Sequence, residues 1–239
     1  MKKLKIVIVM PAYNTAKTIR KTYKDIPSSL KKHVIVTDDG STDESVKVAR
    51  TLGLTVIRHN KNKGYGANQK TCYNAALKAG ADIVVMLHPD YQYPSELITP
   101  MVAMLQTGHY DVVLGSRILS GGALRGGMPL YKYIANRALT FIENIFTGAK
   151  LSEYHTGFRA FTRSALKSVK YTQNSDDFVF DNQILLQLLA SKNRIGEISS
   201  PCRYFPEASS INFIRSLQYG VGCLYYGFIF FLGRISRYN

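Results

Sequence analysis

The sequence predicts an α/β protein built on an open, mostly parallel sheet with helices on both faces and an apolar helix at the C-terminal end. Three observations carry the prediction. Short β-branched apolar runs alternate with helix-length stretches through the first half of the chain, the rhythm of βαβ units. Those runs are apolar at consecutive positions, as strands covered by helices on both sides require. The composition, 46% hydrophobic and 20% charged over 239 residues, gives enough chain for one large domain or two small ones and excludes collagen-like, wholly disordered and disulfide-stapled scaffolds.

The elements follow in order. Strands are expected at 4–10, 33–37, 54–58, 83–87 and 112–114, each bounded by polar or glycine-containing segments. Between them helices are expected at about 15–28, 42–52, 66–79 and 95–107, the second capped by Ser41 or Thr42 and the fourth opened by Pro94. Residues 115–127 hold five glycines and read as a mobile loop. A helix rich in Tyr, Phe and Ile follows at 129–147, then a strand at 157–162, a helix at 178–191 and a strand at 194–199. The last segment, 217–233, is apolar almost all round, with Gln218 its one strongly polar side chain and Arg215, Arg234 and Arg237 at its flanks. Seventeen residues of helix span about 25 Å, the lower edge of bilayer length. Membrane attachment, docking on the domain and self-association are all open readings of it, and the chain divides into a main domain, 1–212, and this helix, 213–239.

Charge points to an anionic partner. Lys and Arg outnumber Asp and Glu by 31 to 16, and 15 of the basic residues but only 5 of the acidic ones lie in residues 1–70. Nucleic acid, an anionic membrane and phosphorylated substrates all select such a balance. Three distant cysteines without a CxxC pair indicate a reduced setting, and the apolar run after Lys3 is a strand's length, too short for a signal peptide, so a cytosolic start is expected.

Ligands of open α/β sheets gather at the carboxyl ends of the strands, and four segments stand there. Pro11-Ala12-Tyr13-Asn14 follows the first strand and Asp38-Asp39-Gly40-Ser41 the second; a carboxylate in this place can accept from a base N–H while Tyr13 packs on the ring. Asn62-Lys63-Gly64 leads into the third helix, whose first N–H groups, with Lys63 beside them, suit phosphate. His88-Pro89-Asp90-Tyr91-Gln92 ends the fourth strand; in an extended chain His88, Asp90 and Gln92 share one side, an arrangement suited to Mg²⁺ or Mn²⁺ on a diphosphate.

Together with Gly115-Ser116-Arg117 and Thr156-Gly157-Phe158-Arg159-Ala160, these segments resemble, in order and spacing over about residues 4–212, the family 2 glycosyltransferases of GT-A fold, and most closely their polyprenyl-phosphate mannose synthase-like branch. The departure is His88, where that family places the first Asp of its metal motif. The resemblance implies that Pro11, Tyr13, Asp39 and Lys63 hold the nucleotide, that Asp90, Gln92 and His88 hold a divalent ion, Mg²⁺ or Mn²⁺, and that Arg117 and Arg203 grip phosphate. It implies an inverting transfer from a GDP- or UDP-sugar. A lipid-phosphate acceptor needs no strong base; a saccharide hydroxyl would need one, with Asp181 or Asp177 as candidates and Asp176 and Glu207 also on the acceptor side. The expected partners are a nucleotide-sugar donor, a lipid phosphate, the cytoplasmic face of a membrane held peripherally or monotopically, and a second copy of the chain. Nucleic acid is not expected, although a non-catalytic basic module for nucleic acid or membrane is the rival from another class.

Overall fold

The computed structural model describes residues 4–205 and 213–233. Glu207, Arg234 and Arg237 lie outside the described residues, as does the position at which the C-terminal helix was divided from the main domain. In chain order the elements are β1 (Ile6–Ala12), α1 (Ile19–Asp25), β2 (Val34–Asp38), α2 (Ser45–Thr51), β3 (Thr55–Arg58), α3 (Tyr65–Lys78), β4 (Ile83–Met86), α4 (Ile98–Gln106), β5 (Val112–Ser116), α5 (Gly122–Arg125), α6 (Leu130–Thr147), β6 (Arg159–Thr162), α7 (Arg163–Lys167), α8 (Phe180–Ala190), β7 (Ile195–Ser199) and α9 (Phe213–Phe231). The seven strands form one sheet in the order β3-β2-β1-β4-β6-β5-β7. Only β6 runs antiparallel to its neighbours, β4 and β5. The expected mostly parallel sheet is therefore present, and the strand order reverses between β1 and β4, the place at which open sheets of this kind collect their ligands.

Alternation within each buried strand builds the two halves of the core. Val7 and Val9 of β1 face one side with Val84, Met86 and Phe161, where α3 and α8 cover the sheet. Ile8 and Met10 face the other with Val36, Val85 and Leu87, under α1, α2 and α4.

Local chemistry moved several boundaries. The first helix is shorter than 15–28 because Ile26, preceding Pro27, is extended at ψ 131°, and the chain continues into a 3-10 turn at Ser28–His33. Neither Ser41 nor Thr42 caps α2. Ser41 Oγ accepts from Asn14 N at 2.9 Å and Thr42 N donates to Asn14 Oδ1 at 2.9 Å, so both join the two loops, while Asp43 Oδ1 accepts from Ser45 N at the helix start. Part of the glycine-rich segment is ordered as α5, and α7 lies where no helix was expected.

Helix α9 begins four residues before the expected 217 and has two faces. One docks on α6 and α8 through small residues: Gly220 meets Leu139, Gly222 meets Val179 and Gly227 meets Phe146, and Cys223 is fully buried. The other leaves Ile214, Leu217, Val221, Tyr225 and Phe228 exposed at three- and four-residue spacing. Among the described residues no helix is long and apolar enough to cross a membrane.

Candidate active site

At the β1–β2 end, Pro11 is the next-to-last residue of β1, in register with Thr37, and Tyr13 beyond the strand stands half-exposed. Asp39 is buried, and its carboxylate is engaged within the chain. Oδ1 meets His59 Nδ1 at 2.6 Å and accepts from Lys63 N at 2.9 Å; Oδ2 accepts from Gly64 N at 3.0 Å. Gly40, at φ 75°, is required here because a Cβ would stand 2.8 Å from Asn62 N. The start of α3 is not the phosphate site expected from the sequence. Four of the N–H groups there are already bonded, Lys63 and Gly64 to Asp39, and Gly66 and Ala67 to the Asp176 carbonyl. The Lys63 side chain itself is exposed.

The His88–Gln92 segment is a turn, not an extended strand. Asp90 Oδ1 accepts from Gln92 N at 3.0 Å, and Tyr91 sits at φ 61°. The turn nonetheless brings His88, Asp90 and Gln92 into the wall of one cavity of about 560 Å³, together with Arg117 and Asp181. His88 stacks on Tyr65 with 8° between the rings, and its Nε2 lies 3.0 Å from Tyr65 Oη. The Tyr65 hydroxyl donates to Asp181 Oδ2 at 2.6 Å. Nε2 must then carry the imidazole hydrogen, which leaves Nδ1 a lone-pair donor, buried and without a hydrogen-bond partner among the described residues. Burial, opposed by Asp90 and Asp181, holds the ring below the usual histidine range and keeps it neutral. Gly157 makes room for it: a Cβ there would stand 2.5 Å from His88 Cε1.

This donor set fits a divalent cation: one carboxylate, one amide oxygen and one unpartnered imidazole nitrogen. Among the described residues no three His, Cys, Asp or Glu side chains gather into a metal site.

Arg117 reaches the cavity from the end of β5, and most of its donors are committed. Nε donates to Glu153 Oε1 at 2.8 Å, Nη1 to Tyr204 Oη at 2.8 Å, and Nη2 to Glu153 Oε1 and the His155 carbonyl. Lys132 of α6 lines the same cavity. Arg203 is not among the lining residues; it is exposed, its guanidinium 5.3 Å from the Tyr91 ring centroid and its N–H donating to the Gln92 carbonyl. Of the two carboxylates proposed as bases, Asp181 lines the cavity and Asp177 is exposed outside it. Both Asp181 oxygens accept hydrogen bonds, from Tyr65 and from Gln69 Nε2 at 2.9 Å. Arg159 of the Gly-Phe-Arg-Ala segment is a buried brace, donating to the carbonyls of Thr156, Asp181 and Tyr154.

Tyr65, Glu153 and His155 escaped the sequence reading. Tyr65 stands in a Lys-Gly-Tyr-Gly run that drew attention only for its lysines and glycines, and Glu153 has no local pattern to mark it, since its partner is 36 residues away.

Beneath the cavity, Glu143 of α6 and His155 approach at 3.3 Å, with Asn182 Nδ2 donating to the carboxyl. Burial lifts Glu143 to about 8 against the pull of Asn182 and Arg159, and burial lowers His155 to about 4. Near neutrality Glu143 is thus protonated and His155 uncharged. A raised folded-state pKa gives stability that is full below the ordinary value of 4.5 and is lost as pH rises through 8, whereas the His155 contribution is lost as pH falls from 6.5 through 4. Glu143→Gln should therefore raise the melting temperature more at pH 8.5 than at pH 5, each 1 kcal/mol appearing as about 2–4 °C in a chain of this size. Parallel pH profiles for variant and wild type would show that Glu143 ionises as freely as in the unfolded chain.

The chain matches the family described as Glycosyl transferase family 2 over residues 7–170. It is 31% identical over 188 residues to an uncharacterized protein of Methanocaldococcus jannaschii, covering 79% of this chain and 76% of that one. It is 28% identical over 210 residues to the UDP-N-acetylglucosamine–dolichyl-phosphate N-acetylglucosaminyltransferase of Methanococcus voltae, covering 81% and 83%. Glucosyl-3-phosphoglycerate synthase from Mycobacterium tuberculosis in complex with UDP shares the fold at a TM-score of 0.70 and 19% identity, over 98% of this chain and 80% of that one. The same enzyme in complex with Mn²⁺, UDP and glucosyl-3-phosphoglycerate gives 0.65 and 19%, over 96% and 80%.

Proposed function

The chain belongs to glycosyl transferase family 2 and has the GT-A fold, and we propose that it transfers a hexose from a nucleotide-sugar donor to a polyprenyl-phosphate-type lipid at a membrane surface. One observation carries the reading. The cavity is polar at the sheet, with His88, Asp90, Gln92, Arg117 and Asp181, and continues into an apolar slot between α6 and α9 lined by residues such as Ala138, Leu139, Ile142 and Leu224. A phosphate headgroup with a hydrocarbon tail matches that succession; a free saccharide has no use for the slot. The relative from Methanococcus voltae carries a dolichyl-phosphate acceptor in its name.

In this reading Tyr13, Pro11, Asp39 and Lys63 form the nucleotide end, with Asp39 holding the 59–64 loop in place. Asp90, Gln92 and His88 Nδ1 would hold the ion, which would supply charge neutralisation for the leaving diphosphate. Arg117 and Lys132 face the acceptor phosphate, with Arg203 at the rim beside Tyr91. An acceptor phosphate oxygen attacks the anomeric carbon in line, the bond to the diphosphate oxygen breaks, and the configuration inverts. No proton changes hands, because the acceptor is already an anion. That agrees with Asp181, whose oxygens are occupied in orienting Tyr65 and so His88.

Apolar side chains on the outer faces of both helices, Phe141 and Ile145 on α6 and Tyr225 and Phe228 on α9, supply the membrane contact, peripheral or monotopic, at the cytoplasmic face. Purified protein is tested for transfer from UDP-N-acetylglucosamine and GDP-mannose, with Mg²⁺ or Mn²⁺, to polyprenyl phosphates. The Phe141→Glu/Tyr225→Glu variant should lose binding to phosphatidylglycerol vesicles and at least about tenfold of its turnover on a long-chain acceptor, since each buried aromatic contributes about 1.5–3 kcal/mol, while turnover on soluble farnesyl phosphate stays within about twofold. A wild-type protein that ignores such vesicles at low salt, or glycosylates sugars but no lipid phosphate, overturns the reading.

A further inference from the structure

Residues 148–158, between α6 and β6, carry Glu153 and His155, and both reach Arg117. His155 is clamped from two helices. Its Nε2 faces Glu143 Oε2 of α6 at 3.3 Å, its Nδ1 is hydrogen bonded to the Tyr219 hydroxyl of α9 at 2.9 Å, and the Tyr219 ring meets it edge-on at 78° with centroids 5.5 Å apart. The backbone carbonyl of the same residue accepts from Arg117 Nη2 at 2.8 Å. One residue thus joins the seat of the C-terminal helix to the seat of the cavity arginine. Tyr219, Gly220 and Leu224 of α9 also form part of the cavity wall, so the helix builds the acceptor half from two directions.

We infer that Tyr219 is a positioning residue: through His155 it fixes the Arg117 guanidinium, and the acceptor half of the cleft is complete only when α9 is seated. The inference rests on the reading above that Arg117 faces the acceptor phosphate. It gives α9 a role that an anchor lacks, because an anchor concentrates the enzyme at the membrane and leaves its affinity for a soluble short-chain acceptor unchanged.

The test uses the full chain and Tyr219→Phe, which keeps the ring and removes only the hydroxyl. Farnesyl phosphate is the acceptor, and UDP binding with Mn²⁺ is measured by calorimetry. The expected result is an acceptor KM raised about three- to tenfold, the loss of one hydrogen bond, with kcat and the UDP dissociation constant unchanged. In an Arg117→Lys background the same substitution should have no further effect on KM. Independently of any acceptor, the Arg117 Nε–H resonance, identified by its absence in Arg117→Lys, should shift in Tyr219→Phe. An unmoved resonance, or an equal KM effect in both backgrounds, overturns the inference. If wild type transfers nothing to lipid phosphates, the acceptor reading fails by itself and the resonance alone decides the role of Tyr219.

Discussion

Asp90→Ala should lower kcat/KM for sugar transfer by about 10³-fold or more, with the melting temperature within a few degrees of wild type. The size follows from what the turn supplies. Of the three donors it brings to the cavity, His88 is neutral and Gln92 is an amide, so Asp90 provides the only negative charge within the His88–Gln92 segment. In the proposed site an ion on a diphosphate would lose its anionic anchor with that side chain. The small effect on stability follows from the place of the side chain in a turn at the cavity wall, where the 3.0 Å bond that Asp90 Oδ1 accepts from Gln92 N is worth about 0.5–1.5 kcal/mol. Asp90→Asn separates the two roles. Its amide oxygen still accepts from Gln92 N, so the turn survives, yet the charge is gone; activity should fall nearly as far as in the alanine variant. Wild-type turnover in either protein would move the ion, or the need for one, away from this segment.

What the sequence could and could not disclose follows from the range of the interactions. The strands were legible because burial on both faces writes consecutive apolar residues, as in Val84-Val85-Met86, and such a signal is local. That Asp90 and Gln92 share one cavity was legible because strand ends are where an open sheet collects its ligands. The extended geometry expected for His88, Asp90 and Gln92 failed, since nothing local announces that Tyr91 adopts φ 61°. The occupation of the N–H groups around the α3 start was hidden for a long-range reason: the Asp39 carboxylate takes those of Lys63 and Gly64, and the carbonyl of Asp176, over a hundred residues downstream, takes those of Gly66 and Ala67. The apolar C-terminal segment hid its two faces because glycines at 220, 222 and 227 dock it without adding any polar stripe to the pattern.

Loss of Glu153 should cost the fold several kcal/mol. It is fully buried, and it accepts from Arg117 N at 2.8 Å, from Arg117 Nε at 2.8 Å and from Asn136 Nδ2 at 2.8 Å, with Arg117 Nη2 closer still. Burial works to raise its carboxyl, but the Arg117 charge and hydrogen bonds outweigh burial and hold it below the usual carboxylate range. Its contribution to stability is therefore present above the ordinary value and lost as pH falls through the lowered one. Glu153→Ala leaves a guanidinium that is only 11% exposed without its counter-charge, at a cost of about 3–5 kcal/mol, or about 6–20 °C in melting temperature. Glu153→Gln, which keeps the acceptor oxygen, should fall between. The double variant Arg117→Met/Glu153→Leu discriminates further, because replacing both charges by apolar groups removes the desolvation penalty along with the attraction. It should recover most of the lost stability and recover none of the transfer to a lipid phosphate. If Glu153→Ala instead melted within 1 °C of wild type, the pair would be a surface ion pair of the kind worth about 0–1 kcal/mol, and Arg117 would be held by the carbonyl of His155 and the hydroxyl of Tyr204 alone.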